Sequence, residues 1–142
     1  MRLHHVGIAV RDLTQALATY RALGLEAGGE EEVPEQGVRL AFLPAGEARL
    51  ELLQPLREDS PVGKFLESKG EGIHHVCLEV EDIEKALARA REAGIRLVDE
   101  KPRQGAHGAR VAFLHPRGLH GVLLEFRQPP VGSPGRPSRG PS

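Results

Sequence analysis

Leu3-His4-His5-Val6-Gly7-Ile8-Ala9-Val10 opens the chain, and Ile73-His74-His75-Val76-Cys77-Leu78-Glu79-Val80 restates it seventy positions later. The correspondence continues beyond these octets. Asp12, Ala16, Leu17, Ala18, Arg21 and Gly24 recur as Asp82, Ala86, Leu87, Ala88, Arg91 and Gly94. Arg39, Ala41, Phe42 and Leu43 recur as Arg110, Ala112, Phe113 and Leu114. Leu50-Glu51-Leu52-Leu53-Gln54-Pro55 returns as Leu124-Glu125-Phe126-Arg127-Gln128-Pro129. The matching residues are varied and keep their order, so the chain is built from two copies of one unit.

Each copy begins with alternation at period two. Val6, Ile8 and Val10 share one face and His5, Gly7 and Ala9 the other; Val76, Leu78 and Val80 oppose His75, Cys77 and Glu79. A helix follows each strand. Asp12 can cap its N-terminus, with Gln15 three residues on, and Leu13, Ala16, Leu17 and Tyr20 form an apolar stripe ended by Gly24. Asp82, Ile83, Ala86, Leu87, Ala90 and Gly94 repeat the scheme. Shorter strands are expected near 26–33, 38–44 and 48–54, and again near 96–100, 109–115 and 121–127.

The expected architecture is α+β: two tandem βαβββ modules in a curved, partly open mixed β-sheet barrel around a metal site, with helices outside. Module one covers 1–56, a connection 57–72, and module two 73–130, all within a single domain, 1–130. The connection should hold a short helix after Ser60-Pro61, with Val62, Phe65 and Leu66 as its buried side. The segment 131–142 is almost entirely Gly, Pro, Ser and Arg and is expected to be a flexible tail, because it has too little apolar surface to offset its ordering entropy.

At 142 residues the chain can bury a core without disulfides or a structural metal. Its net charge of −1, with both signs interspersed, excludes the basic patches that bind nucleic acid or anionic membranes. The single cysteine, Cys77, permits no internal disulfide and fits a reducing, cytoplasmic setting. No apolar run reaches membrane-spanning length.

His5, His75, Glu51 and Glu125 carry the chemistry. Glu51 lies between Leu50 and Leu52, and Glu125 between Leu124 and Phe126. A carboxylate in an apolar strand is costly unless it is solvated, paired or metal-bound. Two halves folded about a pseudo-twofold axis would bring two imidazoles and two carboxylates together as ligands for a divalent ion. That donor set suits cobalt, zinc, nickel or manganese. His4 and His74 are the rival ligands. Strand alternation sets them opposite His5 and His75, and the Gly7 and Ala9 register favours the latter pair. Cys77 reads as a small buried thiol, and His107 and His115 as turn or surface residues.

These segments resemble the vicinal-oxygen-chelate superfamily and, within it, the methylmalonyl-CoA epimerase family. Further support comes from Pro34-Glu35-Gln36-Gly37-Val38, from Ser60-Pro61 with Phe65-Leu66, and from Gly105-Ala106-His107-Gly108. The resemblance covers residues 1–130. It implies a metal-dependent epimerase that interconverts (2R)- and (2S)-methylmalonyl-CoA by C2 proton abstraction through a metal-stabilised enolate. Its ligands would be His5, Glu51, His75 and Glu125, its ion one divalent metal, cobalt foremost, with zinc, nickel, manganese or magnesium as alternatives. Its catalytic acid–base residues would be Glu125 on one side and Glu51, or a water beside it, on the other. Some relatives place a further glutamate where this chain has Leu40, which cannot move a proton. The resemblance also implies an acyl-CoA substrate, a homodimer and a place in propionate metabolism. Two competing functions share the fold: a glyoxalase I-type lyase acting on thiol adducts, and a non-catalytic small-molecule-binding protein.

Overall fold

The structure, a computed structural model, describes residues 1–131. The tail expected over 131–142 lies outside the described residues except for Val131, which is exposed. In chain order the elements are β1 (Arg2–Ala9), α1 (Leu13–Ala22), β2 (Glu30–Val33), β3 (Val38–Ala45), β4 (Ala48–Pro55), α2 (Pro61–Lys69), β5 (Gly72–Glu79), α3 (Ile83–Glu92), β6 (Arg103–Gln104), β7 (Arg110–Leu114) and β8 (Leu124–Gln128). Among the described residues no helix is long and apolar enough to cross a membrane. The fold class is α+β, with parallel and antiparallel strand pairs.

The chain divides into two compact units: His4–Val76, and Met1–Leu3 with Cys77 onward. In the first, the strands run β2-β3-β4-β1-β5, with β5 contributing Gly72–Val76. β1 pairs with β4 in parallel, setting Gly7 against Glu51, and β3 pairs with β4 antiparallel, setting Phe42 against Glu51 and Leu40 against Leu53. One face of these strands meets α1 through Val10, Leu13, Leu17, Ala41, Leu43 and Leu52. Residues directly opposite on paired strands share a face, so Glu51, Phe42, Leu53 and Leu40 lie on the other.

The second unit repeats these devices. Its strands run β5-β8-β7-β6, with β5 contributing Cys77–Glu79. Phe113 lies opposite Glu125 as Phe42 does opposite Glu51. Ile83, Leu87 and Ala90 of α3 pack on Val80, Ala112, Leu114 and Phe126.

The helix starts are nearly superimposable in their chemistry. The Asp12 carboxylate accepts from the Gln15 N–H at 3.0 Å, and Asp82 accepts from the Lys85 N–H at 3.1 Å. A second cap comes from a strand: the Gln54 amide oxygen accepts from the Leu13 N–H at 2.7 Å, and Gln128 from the Ile83 N–H at 2.8 Å. These bonds satisfy N–H groups that the first helical turn leaves unpaired. Gly24 and Gly94 follow their helices at φ 100° and 77°, a conformation that a Cβ would strain.

Several expected elements differ in the structure. The strand expected at 26–33 is shortened to Glu30–Val33. Its counterpart is displaced: Leu97 makes one isolated bridge to Leu114, and β6 forms only at Arg103–Gln104. Pro102 separates the two, and a residue without an N–H cannot extend a ladder. In the connection, Ser60 accepts from the Gly63 N–H and starts α2 as anticipated. Val62 and Leu66 are buried, whereas Phe65 is half-buried because it flanks the helix and meets the edge of the His74 ring.

Candidate metal centre

β1 delivers His5, β4 delivers Glu51 and the first part of β5 delivers His75, all within the first unit. All three are buried, at 3%, 4% and 4% exposure, so none of their polar atoms is hydrated as it would be in the unfolded chain. His5 Nε2 lies 3.0 Å from His75 Nε2. Glu51 Oε1 lies 3.1 Å from His5 Nε2 and 3.4 Å from His75 Nε2. Gly7 makes this approach possible. A Cβ there would sit 2.5 Å from His75 Nδ1, inside its van der Waals envelope. The His5 ring also meets Phe42 edge-on, with centroids 5.5 Å apart.

Three atoms that carry lone pairs in their neutral or ionised ground states thus converge. Such an arrangement repels itself unless a proton or a cation lies among them. With a proton shared by the imidazoles, opposing influences act on Glu51. Burial alone would raise its pKa, but the charge of His5 and hydrogen bonds from His5 and His75 outweigh this and bring it from 4.5 down to about 2. A divalent cation satisfies the same three atoms. Ligands about 2.1 Å from an ion and at right angles to one another stand about 3.0 Å apart, the separation of the two Nε2 atoms. The residues therefore fit the metal that the donor set suggested.

Glu125 occupies the corresponding place in the second unit. It is buried on β8, flanked by Leu124 and Phe126 and opposite Phe113. Cys77 is fully buried and forms no disulfide. His115 serves a turn, its Nδ1 accepting from the Arg117 N–H, and His107 adopts φ 57° in a 3-10 turn.

Strand alternation describes the Cβ directions of His4 and His74 but not where their rings end. Neither ring turns away from its neighbour. His4 Nδ1 lies 2.7 Å from His5 Nδ1, and His74 Nδ1 lies 2.9 Å from His75 Nδ1. A further pair was not foreseen: Glu79 and Arg127 form a buried ion pair at 3.2 Å in the second unit. One signal was available, since the corresponding first-half residues are Ala9 and Leu53 and only one copy is charged.

A family model for the Glyoxalase/Bleomycin resistance protein/Dioxygenase superfamily matches residues 4–113. The chain is 48% identical over 130 residues to the ethylmalonyl-CoA/methylmalonyl-CoA epimerase of Cereibacter sphaeroides, covering 89% of this chain and 97% of that protein. It is 46% identical to the mitochondrial methylmalonyl-CoA epimerase of Bos taurus, covering 89% and 74%. Among solved structures, a methylmalonyl-CoA epimerase in complex with methylmalonyl-CoA and NH4+ superposes with a TM-score of 0.88 at 42% identity, covering 92% of this chain and 95% of that one.

Proposed function

Since the chain belongs to the Glyoxalase/Bleomycin resistance protein/Dioxygenase superfamily and, within it, to the methylmalonyl-CoA epimerase family, we propose that it interconverts the two C2 epimers of methylmalonyl-CoA. The observation that carries this reading is the buried convergence of His5, Glu51 and His75 in a chain so similar to named epimerases. We assign those three residues as ligands of one divalent ion, cobalt foremost, and Glu125 as the fourth. Glu125 enters through its matched register: it opposes Phe113 as Glu51 opposes Phe42.

The substrate hydrogen lies between a thioester and a carboxylate, which makes C2 a weak carbon acid. Removing it leaves a planar carbon, and inversion follows if the proton returns from the opposite face. A bound divalent cation would supply Lewis acidity that stabilises negative charge on the substrate oxygens. Glu125 acts as the base on one face. Glu51 serves the other face, directly or through a water beside it. Its Oε1 takes both imidazole contacts, so Oε2 is the oxygen left for proton work. Phe42, Leu53 and Leu40 share the face of Glu51 and are all buried. They form an apolar surface that limits water around the carbanion. The same family reading makes the active enzyme a homodimer, which sedimentation analysis tests.

The test of function is proton exchange at C2 of methylmalonyl-CoA in deuterated buffer, with and without chelator. Exchange that chelator abolishes and cobalt restores is expected. A protein loaded with cobalt that leaves the C2 hydrogen untouched would refute the assignment.

A further inference from the structure

The four histidines of the repeat stand in two end-to-end pairs. In each pair the Nδ1 atoms face one another, at 2.7 Å for His4 and His5 and at 2.9 Å for His74 and His75. The outer nitrogens, Nε2 of His5 and Nε2 of His75, face one another and Glu51. A neutral imidazole has one N–H and one lone pair. If His5 and His75 present lone pairs at Nε2, their protons reside on Nδ1 and need acceptors. Nδ1 of the preceding histidine faces each of them at hydrogen-bond distance. That neighbour must then carry its own proton on Nε2. One assignment of protons satisfies both pairs.

The neighbours are themselves held in place. His4 is buried and meets Phe42 edge-on at 6.0 Å, while half-buried His74 meets Phe65 of α2 edge-on at 5.0 Å. Neither Nε2 of His4 nor Nε2 of His74 belongs to the group of atoms around Glu51 described above.

We propose that His4 and His74 are positioning residues, each accepting the Nδ1–H of the next imidazole and so holding His5 and His75 in the tautomer and ring orientation whose Nε2 lone pairs meet beside Glu51. This rests on the metal-site reading of His5, Glu51 and His75. The hydrogen bond made by a ligand's second nitrogen fixes its tautomer and raises its basicity. A carboxylate or a carbonyl fills that place in many sites. Here a second imidazole does so, and the His-His dipeptide at each strand start is the sequence mark of the device.

The test uses the full chain with four substitutions, His4→Phe, His4→Asn, His74→Phe and His74→Asn. Asparagine places its Oδ1 where histidine has Nδ1 and so keeps an acceptor; phenylalanine keeps the ring and removes it. Zinc affinity is measured by competition with a chromophoric chelator, and the cobalt-loaded proteins are compared by their visible absorption. The phenylalanine variants should bind zinc about 10–100-fold more weakly and show altered cobalt spectra. The asparagine variants should stay within about threefold of the parent, as an acceptor at the same place preserves the tautomer. Two-bond proton–nitrogen correlation spectra of the zinc-loaded parent should show His5 and His75 protonated at Nδ1. Folded phenylalanine variants that bind zinc like the parent overturn the proposal, as do asparagine variants as weak as the phenylalanine ones. If the phenylalanine variants do not fold, the spectra of the zinc-loaded parent decide: protons on Nε2 of His5 and His75, with Nδ1 unprotonated, overturn it. A parent that binds no zinc or cobalt would instead sink the metal site itself, and with it the positioning role that rests on that site.

Discussion

Gly7→Ala is the smallest change that should disturb both the core and the site. Gly7 is not at a positive φ, so only space requires a glycine there. A Cβ would lie 2.5 Å from His75 Nδ1 and 2.8 Å from His75 Nε2. Non-bonded carbon contacts settle at about 3.5–4.0 Å, so the ring must retreat by roughly 1 Å. That motion breaks the 2.9 Å contact between His75 and His74 and removes His75 Nε2 from its place 3.0 Å from His5 Nε2. Overpacking of this kind costs about 1–3 kcal/mol. Removing a glycine from a strand interior returns about 0.5–1 kcal/mol. The expected net loss is therefore about 0–2.5 kcal/mol, or up to about 9 °C in Tm for a domain of this size. Zinc affinity should fall at least about tenfold, since a retreating ligand loses its orientation. Thermal unfolding of the metal-free protein and a chelator-competition titration measure the two effects. Gly29→Ala is the control, because a Cβ at Gly29 meets nothing within 4 Å. If Gly7→Ala unfolds within a degree of the parent and binds zinc equally well, Gly7 is not making room for His75.

Glu51→Gln and Glu125→Gln should each abolish C2 deuterium exchange from one epimer more than from the other; full activity in either variant removes that residue from the proton transfer. The pH dependence follows from Glu51. Its folded pKa of about 2 lies below the ordinary 4.5, so its contribution is complete above about pH 4.5 and is lost as pH falls toward 2. For the metal-free protein this amounts to at most about 3 kcal/mol, and acid unfolding of Glu51→Gln should lack that component. Gln54→Met should destabilise by about 1 kcal/mol through the Leu13 N–H it leaves unpaired; an unchanged unfolding midpoint would show that water replaces the cap.

The duplication made much of this molecule readable from its residues. Asp12 and Asp82 cap helices where their position before an apolar stripe said they would, and Ser60 starts α2. Glu51 stood out because its apolar neighbours needed a reason for it, and the structure sets it against two histidines. Alternation left the contact between His4 and His5 unread for a specific cause. It gives the direction of Cβ, but Nδ1 is only one bond beyond the ring's attachment point, so adjacent imidazoles can swing their Nδ1 edges together beside the strand. The second copy also escaped a copy-by-copy reading. Pro102 moved the first short strand of that half, and Glu79 with Arg127 replaced an alanine and a leucine by an ion pair. Such departures depend on packing that repeats do not encode.

The amide of Gln54 has a consequence for how the chain avoids error. Gln54 is three positions after Glu51, so the two side chains leave β4 on opposite faces, one toward α1 and one toward the histidines. Should β4 slip by one residue against its neighbours, Glu51 would turn into the apolar layer beneath the helix and Gln54 would lose the Leu13 N–H in the same step. The misplaced carboxylate and the uncapped helix penalise the same wrong alignment. Gln128 stands in the same relation to Glu125 and Ile83 in the second copy. A residue with no part in the chemistry thus proofreads the strand that carries it, and does so once in each half.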